Sequence, residues 1–160
     1  MDDINNYNIT YNTNFKLEIP QAKTVNYFFQ QVTLPSISNM GQDLYYKHNQ
    51  TVTYNNVTEW SPLNGIILMD EDFENYIYLC NWMRSFIDDD DWHNLVKDIK
   101  LFILSGNKTT LLTYTFYGAF PTMLGEVMFD SSSIDPTQIS FSIEFRYQWF
   151  EWERTKIETE

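Results

Sequence analysis

The segment SFSIEFRYQWF, Ser140 to Phe150, alternates without a slip as far as Trp149. Phe141, Ile143, Phe145, Tyr147 and Trp149 fall on one side, with Ser142, Glu144, Arg146 and Gln148 on the other. A period of two sustained this long marks a strand with one dry and one wet face. It sets the expectation of an antiparallel sheet over a core, because such sheets commonly leave one face to water.

Working outward, GAFPTMLGEVMFD (Gly118 to Asp130) precedes that strand and holds two glycines and a proline. It reads as a corner that redirects the chain between sheets, without the spacing of an active site. Ser105-Gly106-Asn107-Lys108 is the clearest hairpin turn and separates the runs 99–104 and 111–117. Phe15, Leu17 and Ile19 alternate up to Pro20, and Val25, Tyr27 and Phe29 suggest a second strand before Pro35. Residues 36–57 form a long polar excursion, read as an extended loop or hairpin, and Pro62 to Met69 reads as a buried strand.

One helix is expected, over 71–87, capped by Asp70 with acids in its first turn. It carries two apolar stripes. Phe73, Ile77, Cys80, Met83 (or Arg84) and Ile87 make the first, and Leu79, Trp82 and Phe86 the second. Two stripes exceed what packing on one sheet face requires, which fits either deep burial or a helix shared with a neighbouring subunit. The expected fold is therefore mainly β: an antiparallel β-sandwich or barrel of about seven to eight strands with one α-helix packed against it. The 160 residues read as a single domain, with an N-terminal arm over 1–12 and a charged C-terminal tail over 152–160.

Composition narrows the function. The chain has 12 Phe, 11 Tyr and 5 Trp, more rings than one core holds, so some should meet other chains. Twenty-two acids against ten bases give a net charge of −12, which disfavours tight phosphate binding. A lone Cys80 allows no disulfide within the chain, and the polar, acidic start MDDINNYNIT does not read as a signal peptide. No apolar run is long enough to cross a bilayer.

Little in the sequence suggests catalysis. Asp88 to Asp91, followed by Trp92 and His93, is the most reactive-looking run, and it is the basis of a remote alternative, a metal-dependent hydrolase. It lacks the ligand spacing of a calcium loop, and adjacent residues do not converge, so a solvated acidic loop is the simpler reading. No phosphate loop, nucleophile elbow or zinc-protease motif occurs.

The order of features resembles one family. Asn14-Phe15-Lys16-Leu17, then Phe28 to Pro35, resemble the opening of contractile-tail bacteriophage tail tube proteins of the T4-like type. Met69-Asp70-Glu71-Asp72, leading into a helix that ends in Asn81-Trp82, looks like their strand-to-helix passage. Phe120-Pro121-Thr122-Met123-Leu124-Gly125-Glu126 matches their aromatic-Pro-Thr-x-x-Gly-Glu corner, and a long strand reaching Glu151 follows. The likeness spans most of residues 14 to 151, departing at the Asp88–Asp91 run and the tail.

The resemblance implies a non-enzymatic structural subunit of Hcp-like fold, with no cofactor and no metal. Its hexameric rings would stack into a tube inside a contractile sheath and conduct DNA during ejection. Implied partners are further copies of the chain, the tail sheath, the baseplate and the tail terminator. Tape-measure protein and DNA would pass through without specific binding, and no membrane is involved. The setting would be the virion tail, assembled in the host cytoplasm. Alternatives of the same fold are a baseplate tube-initiator, a tail-end ring protein, or the tube of a related injection apparatus.

Candidate subunit contacts are Phe28, Gln30, Leu44, Tyr45, Tyr46, Leu79, Trp82, Phe86, Phe120, Pro121 and Glu126. Candidate lumen residues are Ser142, Glu144, Arg146 and Gln148. The net charge suggests an acidic lumen, because carboxylates repel phosphates, and the excursion over 36–57 is the candidate for contact between rings.

Overall fold

The computed structural model describes residues 12–88, 91–132, 134 and 137–155, and for Asn55 and Asn56 the backbone alone. Residues 1–11 of the expected arm, Asp89 and Asp90 of the acidic run, and 156–160 of the expected tail lie outside the described residues. The elements in order are β1 (Phe15–Glu18), α1 (Lys23–Tyr27), β2 (Phe29–Thr33), β3 (Ile37–Tyr46), β4 (Asn49–Trp60) and β5 (Leu63–Leu68). There follow α2 (Glu74–Asp88), a 3-10 turn at Trp92–Asn94, β6 (Lys97–Leu104), β7 (Thr110–Leu124), β8 (Ser140–Arg146) and β9 (Trp149–Arg154). The fold is mainly β with a helix packed against the sheet, as the alternating runs imply.

Seven strands form one antiparallel sheet in the order β1-β6-β7-β8-β5-β2, with β9 also paired to β7; β3 and β4 form a separate two-stranded ribbon. The main sheet bends through β7. Residues 112–117 of β7 pair with β9, whereas Phe120 to Leu124 pair with β8. At that level β7 turns at Gly118 (φ +60), a conformation that costs other residues steric strain. Gly118 also has no room for a side chain, since a Cβ there would sit 2.8 Å from Gln148 Cδ. Its N–H donates to Asp98 Oδ1 at 3.0 Å, and Gln148 N–H donates to the Tyr117 carbonyl at 3.0 Å. The corner is thus partly strand, and it does carry the chain from one half of the sheet to the other. Its second glycine has a different reason: a Cβ on Gly125 would strike Ser142 Oγ, and Gly125 N–H bonds the Ser142 carbonyl.

Three expectations are corrected. The run 140–150 is not one strand but β8 and β9, interrupted at Tyr147 and Gln148. Phe141, Ile143 and Phe145 are buried as expected, but the break shifts the phase by one residue. Phe150 then packs on the core and Trp149 turns outward. The second strand begins only at Phe29, because Gln21 (φ 65) reverses the chain after Pro20 and residues 23–27 take a helical turn. The Asn26 side chain locks that turn by accepting from Ile19 N–H at 2.7 Å and donating to the Ile19 carbonyl at 2.9 Å. The long helix starts at Glu74 rather than 71, with Asp70 Oδ1 accepting a long bond of 3.4 Å from Asn75 N–H.

The core lies on the inner face of the bent sheet. Leu17, Leu101, Ile99, Phe116, Leu63, Ile67, Phe141, Ile143 and Phe145 fill it, with Val25 from α1 and Leu79 and Trp82 from α2. Tyr76 meets Phe141 edge-on at 5.2 Å, and Trp82 meets Phe145 at 6.0 Å, which seats α2 on β8. Trp82 satisfies its indole N–H on the Leu95 carbonyl at 2.7 Å.

Candidate assembly surfaces

The β3–β4 ribbon occupies the excursion, and among the described residues it contributes none to the core. Antiparallel pairing runs from Ile37 opposite Trp60 to Tyr46 opposite Asn49, with one irregularity at Asn39–Gly41. Ten residues of strand reach about 33 Å. Every β3 residue is exposed, Tyr45 at 76% and Tyr46 at 73%, and Leu44, Val52 and Tyr54 are exposed as well. A lone two-stranded ribbon is marginally stable in water. Apolar and aromatic side chains on both of its strands gain more from a covering partner than from solvent.

Its root, by contrast, is clamped. Ser61 N–H donates to the Ser36 carbonyl at 3.0 Å, and Ser36 N–H donates to Ser61 Oγ at 2.9 Å. Trp60 packs edge-on against Trp149 at 5.5 Å and Phe150 at 5.9 Å. Tyr147 donates its hydroxyl to the Ser61 carbonyl at 2.9 Å, and burial pushes its pKa from the ordinary 10.0 up to about 12.

The Tyr147 shift has a definite sign. Between about pH 10 and 12 the unfolded chain loses this proton while the folded chain keeps the neutral phenol. The stability it contributes is complete below pH 10 and is lost as pH rises through 12. Tyr117 is raised too, by desolvation and then by the Glu151 carboxylate, so it acts in the same alkaline direction. The melting temperature should therefore fall more steeply from pH 10 to 12 in the wild type than in Tyr147→Phe. Equal slopes in the two proteins would place the hydroxyl in solvent.

The two stripes of α2 are sorted by the structure. Asn75, Leu79 and Trp82 are buried and Phe86 is half-buried against Phe120 at 5.7 Å, so the second stripe faces the chain's own core. Leu79, at 0% exposure, and Trp82 are therefore corrected from subunit contacts to core residues. The first stripe points outward on the opposite side, with Ile77 52% and Ile87 81% exposed and the Phe73 ring tilted against Phe129 at 6.2 Å. Both stripes are equally apolar, so no local signal in the sequence distinguishes them.

The other expected contact residues are scattered. Phe28 is half-buried, and Gln30 is the exposed bulge residue of β2, whose outer edge has no strand partner among the described residues. Phe120 is half-buried, Pro121 is buried, and Glu126 is exposed beyond the end of β7.

Ser142 and Arg146 are exposed on the outer face of β8. Glu144 between them is half-buried and accepts from Thr122 Oγ1 at 2.8 Å. Gln148 lies in the break, against Gly118. Across the pairing, Asn64 stands opposite Glu144 and Ile66 opposite Ser142. That face is polar and nearly neutral, one acid beside one base.

Of the acidic run, Asp88 and Asp91 are described. His93 Nδ1 lies 3.5 Å from Asp91 Oδ1, both exposed, and among the described residues no group of three or more His, Cys, Asp or Glu converges. Cys80 is a half-buried free thiol beside Tyr76, whose pKa it raises. No helix among the described residues is long and apolar enough to cross a membrane.

A bent antiparallel sheet, a helix on its inner face and a projecting ribbon together match known structures. The fold is that of contractile-injection components. The chain aligns with one from the anti-feeding prophage tube terminating cap at TM-score 0.71 and 14% identity, covering 96% of this chain and 97% of that one. It aligns with a chain of the sheath-tube complex of an extracellular contractile injection system at TM-score 0.65 and 17% identity, covering 93% and 94%. Hcp1 from the E. coli EAEC 042 pathovar gives TM-score 0.52 at 8% identity, over 88% and 91%. No family model and no curated protein matches the sequence. At these identities the likeness establishes the fold.

Proposed function

We propose that this chain is a non-enzymatic tube subunit of a contractile, phage-tail-like assembly, forming hexameric rings that stack into a hollow tube. The observation that carries the proposal is the β3–β4 ribbon, exposed along β3 and anchored at its root among the described residues, on a fold otherwise shared almost end to end with contractile-injection components. Such a ribbon is covered when it lies on the next ring. Leu44, Tyr45 and Tyr46 at its tip then bury apolar area against a second copy. Gln30 on the open edge strand and Phe28 just before it, with Phe120 and Glu126 at the corner, are the proposed contacts within a ring.

The outer face of β8 is the proposed lumen wall, with Ser142, Glu144, Arg146 and Gln148 along it. A near-neutral polar wall without clustered Lys or Arg gives DNA no row of phosphate contacts to hold. The acids that set the net charge concentrate instead around α2, so the acidic lumen suggested by composition is not carried by this strand. Within this reading the subunit works in a phage tail, assembled in the host cytoplasm. Sheath, baseplate and terminator would bind it from outside or at its ends, and tape-measure protein and DNA would pass through. Native mass spectrometry at rising concentration tests ring formation. A species six times the subunit mass is expected, and a monomer at every concentration contradicts it.

A second reading has its own observation: the alignment with the tube terminating cap has the higher TM-score, 0.71 against 0.65 for the sheath-tube chain. A ring that ends a tube forms hexamers that do not stack on themselves, whereas a main tube subunit gives long stacks.

A further inference from the structure

Helix α2 is apolar on two opposite sides, and only one of them faces the core. Asn75, Leu79, Trp82 and Phe86 turn inward. At 3.6 residues per turn, Ile77, Cys80, Arg84 and Ile87 fall on the other side, and Phe73 immediately precedes the helix. Phe73, Ile77 and Ile87 are exposed there, and the exposed Phe129 ring from the segment after β7 extends the apolar strip beside Phe73. Carboxylates border it: Glu71, Asp72 and Glu74 at one end and Asp88 at the other, all exposed. Arg84 is the one base between Asp70 and Asp91.

We infer that this outward face of α2 is a docking surface for a basic amphipathic segment of a different protein. The apolar strip supplies the area to bury, and the flanking acids select a partner that brings Lys or Arg on either side of its own apolar residues. Charge argues against a second copy as the occupant. Each copy carries −12, and its ten bases are dispersed along the chain, with no run of Lys or Arg beside apolar residues in a helical pattern. Two copies meeting through this face would bring like charges together, which disfavours the contact. The inference goes beyond the ring and stacking contacts of the tube reading, which require only copies of this chain.

The test uses dispersed full-length protein and a fluorescein-labelled synthetic peptide of about 18 residues, leucine and lysine placed at helical spacing. Fluorescence anisotropy should show saturable binding that weakens with salt. Because Ile77 and Ile87 are exposed, Ile77→Ser/Ile87→Ser should keep the wild-type circular dichroism and melting temperature. It should also weaken peptide binding by about tenfold or more, through lost apolar burial at unchanged charge. Glu151→Gln/Glu153→Gln removes two acids from β9 and should change binding by less than about twofold. No saturable binding, or equal losses in both double variants, would overturn the inference by showing mere attraction to net charge. Loss of rings in the isoleucine variant would overturn it too, by giving the face to a second copy. Absence of rings in the wild type would count only against the tube reading, because the binding is measured on dispersed subunits.

Discussion

Removing the tip of the β3–β4 ribbon, residues 43–52 replaced by a short Gly-Asn turn, should leave a folded subunit that still forms rings but no longer stacks them. The expected effect is close to complete, because Leu44, Tyr45, Tyr46 and Val52 all go with the tip. The fold should survive because the ribbon contributes no residue to the core, and its root is held independently by the Ser36–Ser61 pair and by Trp60 against Trp149 and Phe150. Electron microscopy reads ring length directly, and circular dichroism checks the fold. Long tubes from the shortened chain would remove the ribbon from the stacking contact.

The second large effect lies inside the subunit. Trp82→Ala should cost about 3–5 kcal/mol of stability, a large part of the 5–15 kcal/mol typical of a whole domain. The loss combines a cavity beside Phe145 with a Leu95 carbonyl deprived of its indole donor. Urea unfolding of the dissociated subunit measures it. An unchanged midpoint together with lost assembly would return Trp82 to the interface role that its aromatic character first suggested.

Much of this fold is legible from local pattern. The alternation in 141–145, the turn at Ser105–Lys108 and the buried run before Asp70 each specify an element through side-chain period or turn chemistry. Failures occur where distant contacts decide between equal local choices. Val25, Tyr27 and Phe29 alternate well enough for a strand, yet the Asn26 side chain bonding Ile19 makes 23–27 a helical turn. Tyr147-Gln148-Trp149-Phe150 offers apolar residues in both phases, and the partner change at Gly118 selects Phe150. The polar excursion was visible as an oddity of length, but its pairing depends on residues 49–60 returning along 37–46.

The surfaces were harder to read than the core. Aromatic richness correctly signals that rings remain outside, as Tyr45, Tyr46, Trp149 and Trp152 do. Composition does not say where the charge lies, and eight of the 22 acids fall between Asp70 and Asp91, at the two ends of α2, while the outer face of β8 is nearly neutral. Within α2, Leu79 and Trp82, expected among the subunit contacts, lie in the core, while Ile77 and Ile87 of the other stripe are exposed.

Cryo-electron microscopy of the purified wild-type chain tests the central claim most directly. Six-fold rings of constant diameter are expected, with the β3–β4 ribbon of each subunit lying against the adjacent ring. A monodisperse monomer with its ribbon in solvent would contradict the account.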